Sequence, residues 1–397
     1  MTRSTLQHLP SKFILAAALL FAVFSQSLSA RDHPYGALDN EALAECDAFF
    51  WQGQSIDASV CYNNLYTPAQ PAHIRAEVLW AQDNLQGANS QFQQAINDFP
   101  EDPMVRVRWG ELFMETFQFQ EAYTLFSEAL EIDPNNSWAH MGAASSLAEG
   151  GDPEVLNQHL SQVMDEGLAP HGARLRAMIM AVRSLLRQDL YQEAESSLEE
   201  AFEFAEDENL PTMELKVLRA AHAFMTRQDH QVWIDAALEE SPNYGDAWFI
   251  LGYHATIIRR YKEAVEFFEQ AVALQPTHWE AQINLGQNLL RLNAINDAIE
   301  HVNISFEGNA FNPMTVNLLR LLDTFNDDFV TDSYPNPPEG PLPELILRLH
   351  EDERNILKHY ASRLSQESID LYKERYRFET KEPIIVEIYP NHEDFIV

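Results

Sequence analysis

The sequence predicts an all-α fold, a superhelix of stacked helical hairpins, followed by a short, incomplete β-α-β segment at the C-terminal end. Three observations carry that expectation. Ala88, Phe92, Ala95 and Pro100 recur 34 residues later as Ala122, Phe126, Ala129 and Pro134. Glycine contributes 14 of 397 residues, about half the ordinary share, which leaves little material for phosphate-cradling loops or β-turns. Acids outnumber bases 61 to 26, for a net charge of −35, yet 46% of residues are apolar, so the chain is expected to be soluble and still able to bury a core. A field of that sign repels phosphate backbones and anionic headgroups, and no basic stripe reverses it locally, so nucleic acid is excluded as a partner.

Residues 1–30 read as an address. Arg3 and Lys12 precede an apolar run from Phe13 to Phe24, then Ser25 to Ala30 are small or polar, the layout of a secretory signal with cleavage expected after Ala30. The run has 12 residues, against the ~20 that span hydrocarbon, so an uncleaved anchor is the weaker alternative and no membrane insertion is expected after cleavage. The mature chain is then periplasmic or secreted. Cys46 and Cys61 fit one disulfide in an oxidising compartment; the alternative is two buried free thiols acting as small hydrophobes.

The repeat extends through the middle of the chain. Ala264, Phe268, Ala271 and Pro276 repeat the pattern again, with Trp248, Leu251 and Gly252 upstream at W-x2-L-G spacing. Gly286 and Ala298 lie 34 residues after Gly252 and Ala264, while Ala237 and Pro242 lie 34 before Ala271 and Pro276. This pattern resembles the tetratricopeptide repeat. The resemblance implies a right-handed α/α superhelical solenoid in which Gly252 or Gly286 lets one helix approach the next at Ala264 or Ala298, Trp248 and Phe268 fill space against neighbouring hairpins, and Pro276 stops the second helix. Ala255 stands where the family prefers tyrosine. Propagating the phase gives seven hairpins beginning near Ala69, Pro103, Ser137, Leu175, Pro211, Gly245 and Trp279, after a degenerate one that carries the cysteines. The third and fourth are expected to be lengthened, with a break at Gly150-Gly151-Asp152-Pro153, and Pro313 to Leu322 reads as a closing helix. The predicted domains are a signal at 1–30, a solenoid at 31–330, a proline-rich linker at 331–343 and an incomplete α/β segment at 344–397.

First helices of such hairpins line a concave groove. Its inward positions include Arg176, Arg183, Arg187 and Arg219, a candidate site for a carboxylate or an acidic peptide in so acidic a chain; the competing reading pairs them with Glu and Asp of adjacent repeats. Phe249, Tyr253 and Ile283 are expected to form a more apolar stretch of the same groove, with packing as the competing role. Tyr253 and Gln287 stand where a chaperone-adaptor groove needs lysine and asparagine, which argues against that partner class.

No sequence motif for catalysis is found. G-x-S-x-G, G-x-x-x-x-G-K-[ST] and G-x-G-x-x-G are absent, and His350-Glu351 and His392-Glu393 begin H-E-x-x-H without its second histidine. No catalytic residue, metal or cofactor is therefore expected. The tail nevertheless carries a second likeness. Asn317 to Asp323, Leu347 to Glu353 and Val386 to Phe395, with Cys61-Tyr62 after Cys46, resemble the junction between solenoid and catalytic domain in bacterial peptidase MA-like (gluzincin) proteins. That resemblance places the zinc motif downstream of Val397 and transfers no metal or catalytic residue to this chain. Two functions follow as expectations: an exported scaffold that binds protein or peptide, or the front part of a zinc metallopeptidase.

Overall fold

The computed structural model describes residues 40–148, 153–164, 169–334, 345–377 and 383–390. The signal-like residues 1–30, the Gly150 to Asp152 break, prolines at 335–343 and the His392 motif lie outside the described residues. The chain forms two compact units, Met1–Ala298 and Ile299–Val397. Among the described residues there are eighteen helices and one three-stranded sheet.

The first unit is a stack of hairpins. The first pairs α1 (Glu41–Trp51) with α2 (Ser55–Leu65), bridged by a Cys46–Cys61 disulfide. The next three pair α3 (Ala72–Ala81) with α4 (Leu85–Asp98), α5 (Pro103–Glu115) with α6 (Phe119–Ile132), and α7 (Ser137–Leu147) with α8 (Pro153–Met164). Then come α9 (His171–Arg187) with α10 (Tyr191–Asp207), α11 (Met213–Met225) with α12 (Gln231–Glu240), and α13 (Asp246–Ile257) with α14 (Tyr261–Leu274). The last is α15 (Trp279–Arg291) with α16 (Ile295–Gly308), and α16 runs into the second unit. Helices begin where the sequence supplies caps: Asn84, Asp102 and Asn136 each accept a backbone N–H, and Pro103 occupies the first helical position. α9 begins at His171, 34 residues after Ser137 and four before the expected Leu175, so the third hairpin keeps the repeat and only the fourth, with α9 and α10 at 17 residues each, is lengthened, against the expectation for both.

The alanine–phenylalanine signature is the core. Ala88, Phe92, Ala122, Phe126, Ala264 and Phe268 are fully buried. The glycines face those rings rather than the alanines: a Cβ on Gly142 would lie 2.2 Å from the Phe126 ring, and one on Gly252 would lie 2.7 Å from Phe268. Trp248 stacks on Phe267 of its own hairpin, 5.8 Å between centroids.

Six hairpins share a turn that needs no glycine. Asp83, Phe117, Asp189, Arg227, Arg259 and Asn293 adopt φ between 54° and 66° directly after the first helix. Each is followed by a residue whose N–H reaches the carbonyl five back, as in Asn84 to Leu79 and Gln118 to Phe113, at 2.7 to 3.0 Å. This is the left-handed cap that satisfies orphan carbonyls at a helix end.

The second unit contains α17 (Pro313–Asp328), begun by the Asn312 cap and Pro313, then β1 (Phe329–Tyr334), β2 (Leu345–His350), α18 (Glu351–Tyr376) and β3 (Ile384–Ile388). The sheet order is β1-β2-β3, with β1 antiparallel and β3 parallel to β2. The sheet has three strands where the sequence predicts two, because residues 329–334, expected at the end of the solenoid and in the linker, form a strand. They pair as a strand since Phe329, Val330, Thr331 and Tyr334 are strand formers, and Asp332 fixes them to α18 through Arg354 at 2.8 Å and Lys358 at 2.6 Å. Leu347, Leu349 and Ala361 form the small core. No helix among the described residues is long and apolar enough to cross a membrane.

Candidate functional site

On α9 the arginines at 176, 183 and 187 are separated by seven and four residues, which places them on one helical face. That face opens into a cavity of about 530 Å³. Arg176, Arg183 and Arg187 line it together with Phe249 and Tyr253 of α13, so five of the six groove residues read from the sequence meet in one place. The sixth, Arg219, is corrected. Glu214 and Leu218 of α11 line the cavity, and Arg219, one residue further round the helix, points to α10 instead. There it lies 3.6 Å from Glu195 and 3.9 Å from Glu199, with its guanidinium over the Trp233 ring. Ile283 is fully buried and is not in the lining.

Ion pairing within the array accounts for two of the three remaining arginines. Arg183 meets Glu214 at 2.7 Å while keeping 43% of its side chain open, toward the cavity. Burial pulls its guanidinium down, but Glu214, Asp246 and Tyr244 outweigh burial and hold it above its ordinary value. Arg176 lies 3.2 Å from Glu111 and over Trp138. Glu111 also pairs with Arg108, which is 1% exposed and binds both oxygens of the buried Glu77 at 2.8 Å. A ladder of charges therefore runs from α3 through α5 to α9. Arg187 is exposed and has no ion-pair partner among the described residues.

Sequence reasoning missed polar residues of the cavity lining, among them Asp246 and His254. His278 Nδ1 accepts from the Ala281 N–H at 3.2 Å, so its Nε2 carries the proton that it donates to Asp246 at 2.9 Å. Burial disfavours the charged form of each, yet their mutual attraction wins: the Asp246 carboxyl is held down and the His278 imidazole up. His254 lies opposite in character. Burial, then the charges of Arg183 and Arg187, push it down to about 4, so it is neutral at physiological pH. It is 4% exposed, and its Nδ1 has no hydrogen-bond partner among the described residues.

A second wall comes from the start of the chain. Trp51 of α1 lines the cavity beside Tyr244, their rings 6.0 Å apart. Asn243 donates to the Phe50 carbonyl at 3.3 Å and to Ser55 Oγ at 3.2 Å. No local pattern announces a contact across 193 residues. Elsewhere in the unit, His140 and His159 face each other at 2.8 Å between Nδ1 atoms. The described residues contain no group of three or more side chains that could hold a metal ion.

Residues 75–137, 218–278 and 259–304 match sequence models of the tetratricopeptide repeat, so the chain carries tetratricopeptide repeats, in segments that together cover less than half of it. A peroxisomal targeting signal receptor of Kluyveromyces lactis is 29% identical over 125 residues, 31% of this chain and 21% of that protein, so the match spans about a fifth of that relative's length. Among solved structures, the Cut9–Hcn1 hetero-tetramer of the APC/C is similar at TM-score 0.42 and 16% identity over 79% of this chain and 59% of that one. A tetratricopeptide repeat protein of Parabacteroides merdae is similar at TM-score 0.42 and 15% identity over 64% of this chain and 99% of that one.

Proposed function

We propose that this chain is an exported scaffold whose concave cavity binds a protein or peptide segment bearing a carboxylate. One observation carries the reading: in a chain of net charge −35, Arg187 is a cation without an ion-pair partner among the described residues, and it lines a cavity with the aromatic walls Phe249 and Tyr253. Cations placed this way recognise carboxylates by charge-assisted hydrogen bonds, while flanking rings take up apolar side chains. The resemblance of one segment to a receptor for a targeting signal is in keeping with a binding role. Export is supported by the Arg3, Lys12 and Phe13 to Phe24 layout and by the Cys46–Cys61 disulfide. N-terminal sequencing of the protein from its native host should begin at Arg31.

The binding test is Arg187→Glu. Retention of acidic peptides should fall at least tenfold with the melting temperature unchanged; undiminished retention would remove Arg187 from the site. A second reading, kinship with the peptidase MA-like proteins, is favoured by the position of its motifs: Leu347 to His350 and Val386 to Ile388 are paired strands of one sheet. An in-frame H-E-x-x-H downstream of the Val397 codon would support it, and unrelated sequence there would sink it.

A further inference from the structure

We propose that the disulfide-stapled N-terminal hairpin is a wall of the binding cavity, and that Trp51 is a binding residue which, with His254 and Arg187, receives a single carboxylate carried next to an apolar group. The inference rests on the reading that this cavity is the binding site.

The hairpin is held across the groove at one place, the 242–244 turn before α13. Asn243 ties to both sides of the α1–α2 turn, through the Phe50 carbonyl and Ser55 Oγ, and Gly53 sits against Pro242, whose Cβ would be 3.5 Å from a Cβ placed there. This seats Trp51 in the cavity lining. Its indole nitrogen is buried and has no hydrogen-bond partner among the described residues, and the same holds for Nδ1 of His254. Buried polar atoms left without partners are rare and costly, and here the two residues that carry them line one cavity together with Arg187, a cation without an ion-pair partner among the described residues.

The three groups define their ligand. Indole and guanidinium can only donate, and an imidazole can donate from either nitrogen according to its tautomer. A group that only accepts and carries charge satisfies all three. The lining also includes Glu214, Asp246 and Glu280, so a doubly charged phosphate meets three acids where a carboxylate brings one negative charge. Phe249 and Tyr253 supply the apolar side of the recognition.

The test uses the full, oxidised chain and a library of capped tetrapeptides, each with one carboxylate beside an aliphatic or aromatic residue. Half carry it on a side chain with an amidated end, and half as a free C-terminus, which separates the two sources of that chemistry. The wild-type chain should retain members of one half. Trp51→Phe keeps one aromatic ring and removes the N–H with the five-membered ring that bears it; it should weaken retained peptides about tenfold, a loss matching one charge-assisted hydrogen bond. Asn243→Ala and treatment with a phosphine reductant should each speed dissociation. Should Trp51→Phe lower the melting temperature, the indole N–H resonance that disappears in that variant must move in the wild-type NMR spectrum when peptide is added. If Arg187→Gln weakens binding while Trp51→Phe leaves it unchanged and the resonance stays still, the wall is structural and the cavity reading survives. Retention of uncharged control peptides as strongly as the acidic ones overturns the carboxylate assignment. No retention by the wild-type chain overturns both.

Discussion

In the first unit, Phe92, Phe126 and Phe268 are fully buried, and Phe126 is enclosed by Gly110 of its own hairpin and Gly142 of the next. In the second, α18 runs for 26 residues and buries only Ala361 and Ile369, leaving Ile356 78% and Tyr376 61% exposed. The difference follows from how each unit covers its helices. A helix in an array is flanked by neighbours on both sides and stabilises through repeated interfaces. A helix laid on a three-stranded sheet has one covered face, near the minimum for independent stability, and α18 is fastened there by Leu357 and Ala361 against Leu347 and Leu349 and by the Arg354 and Lys358 contacts to Asp332.

The contrast can be broken most severely at a repeat phenylalanine. Phe126→Ala should cost about 3–5 kcal/mol, while Ile356→Ala should stay within about 0.5 kcal/mol. All seven tryptophans lie in the first unit, so indole fluorescence in a urea titration follows that unit alone, and far-UV circular dichroism follows both. Equal costs would end the distinction.

Acid should separate the units next. Burial holds His140, His159 and His254 below the ordinary histidine value of 6.5. The unfolded chain therefore takes up protons first, and stability present above pH 6.5 is lost as pH falls toward about 4. His254 accounts for on the order of 3 kcal/mol of that loss by pH 4. In the second unit burial raises Asp332, but Arg354 and Lys358 outweigh it and hold its carboxyl below 3.8. Its contribution is present above that value and disappears only below it. Fluorescence should thus change at a higher pH, leaving a later part of the dichroism transition that it does not follow, and His254→Phe should flatten the fluorescence transition. The smallest effect belongs to the turns. Arg259→Gly should stabilise the first unit and Arg377→Gly the second, each by up to about 1 kcal/mol, because both residues hold φ near +60°. Destabilisation of either in a thermal melt would show that the arginine side chain matters there.

Much of this was legible in advance for physical reasons. Ala, Phe and Pro at fixed spacing report a packing that repeats, so hairpin starts at Pro103, Ser137 and Trp279 could be read directly. The arginines of α9 could be placed on one face because a helix has a fixed period. Arg219 failed by a single residue, since 100° of rotation separates lining from flank. The left-handed turns were hidden because Phe117, Arg227 and Arg259 occupy positions where glycine is the usual signal. Trp51 and His254 were hidden for another reason: one reaches the cavity by a contact between distant segments, and the other matters through a hydrogen bond it does not make.

The tie between Asn243 and the α1–α2 turn also bears on how this gene can change. Repeat arrays ordinarily grow or shrink by duplication and loss of whole units, because each unit needs only its neighbours. Here five hairpins, α3 through α12, stand between the two ends of the tie. One more or one fewer would carry the 242–244 turn around the superhelix and away from Phe50. The number of repeats in that stretch is a counted quantity, held by a contact that unequal recombination would destroy.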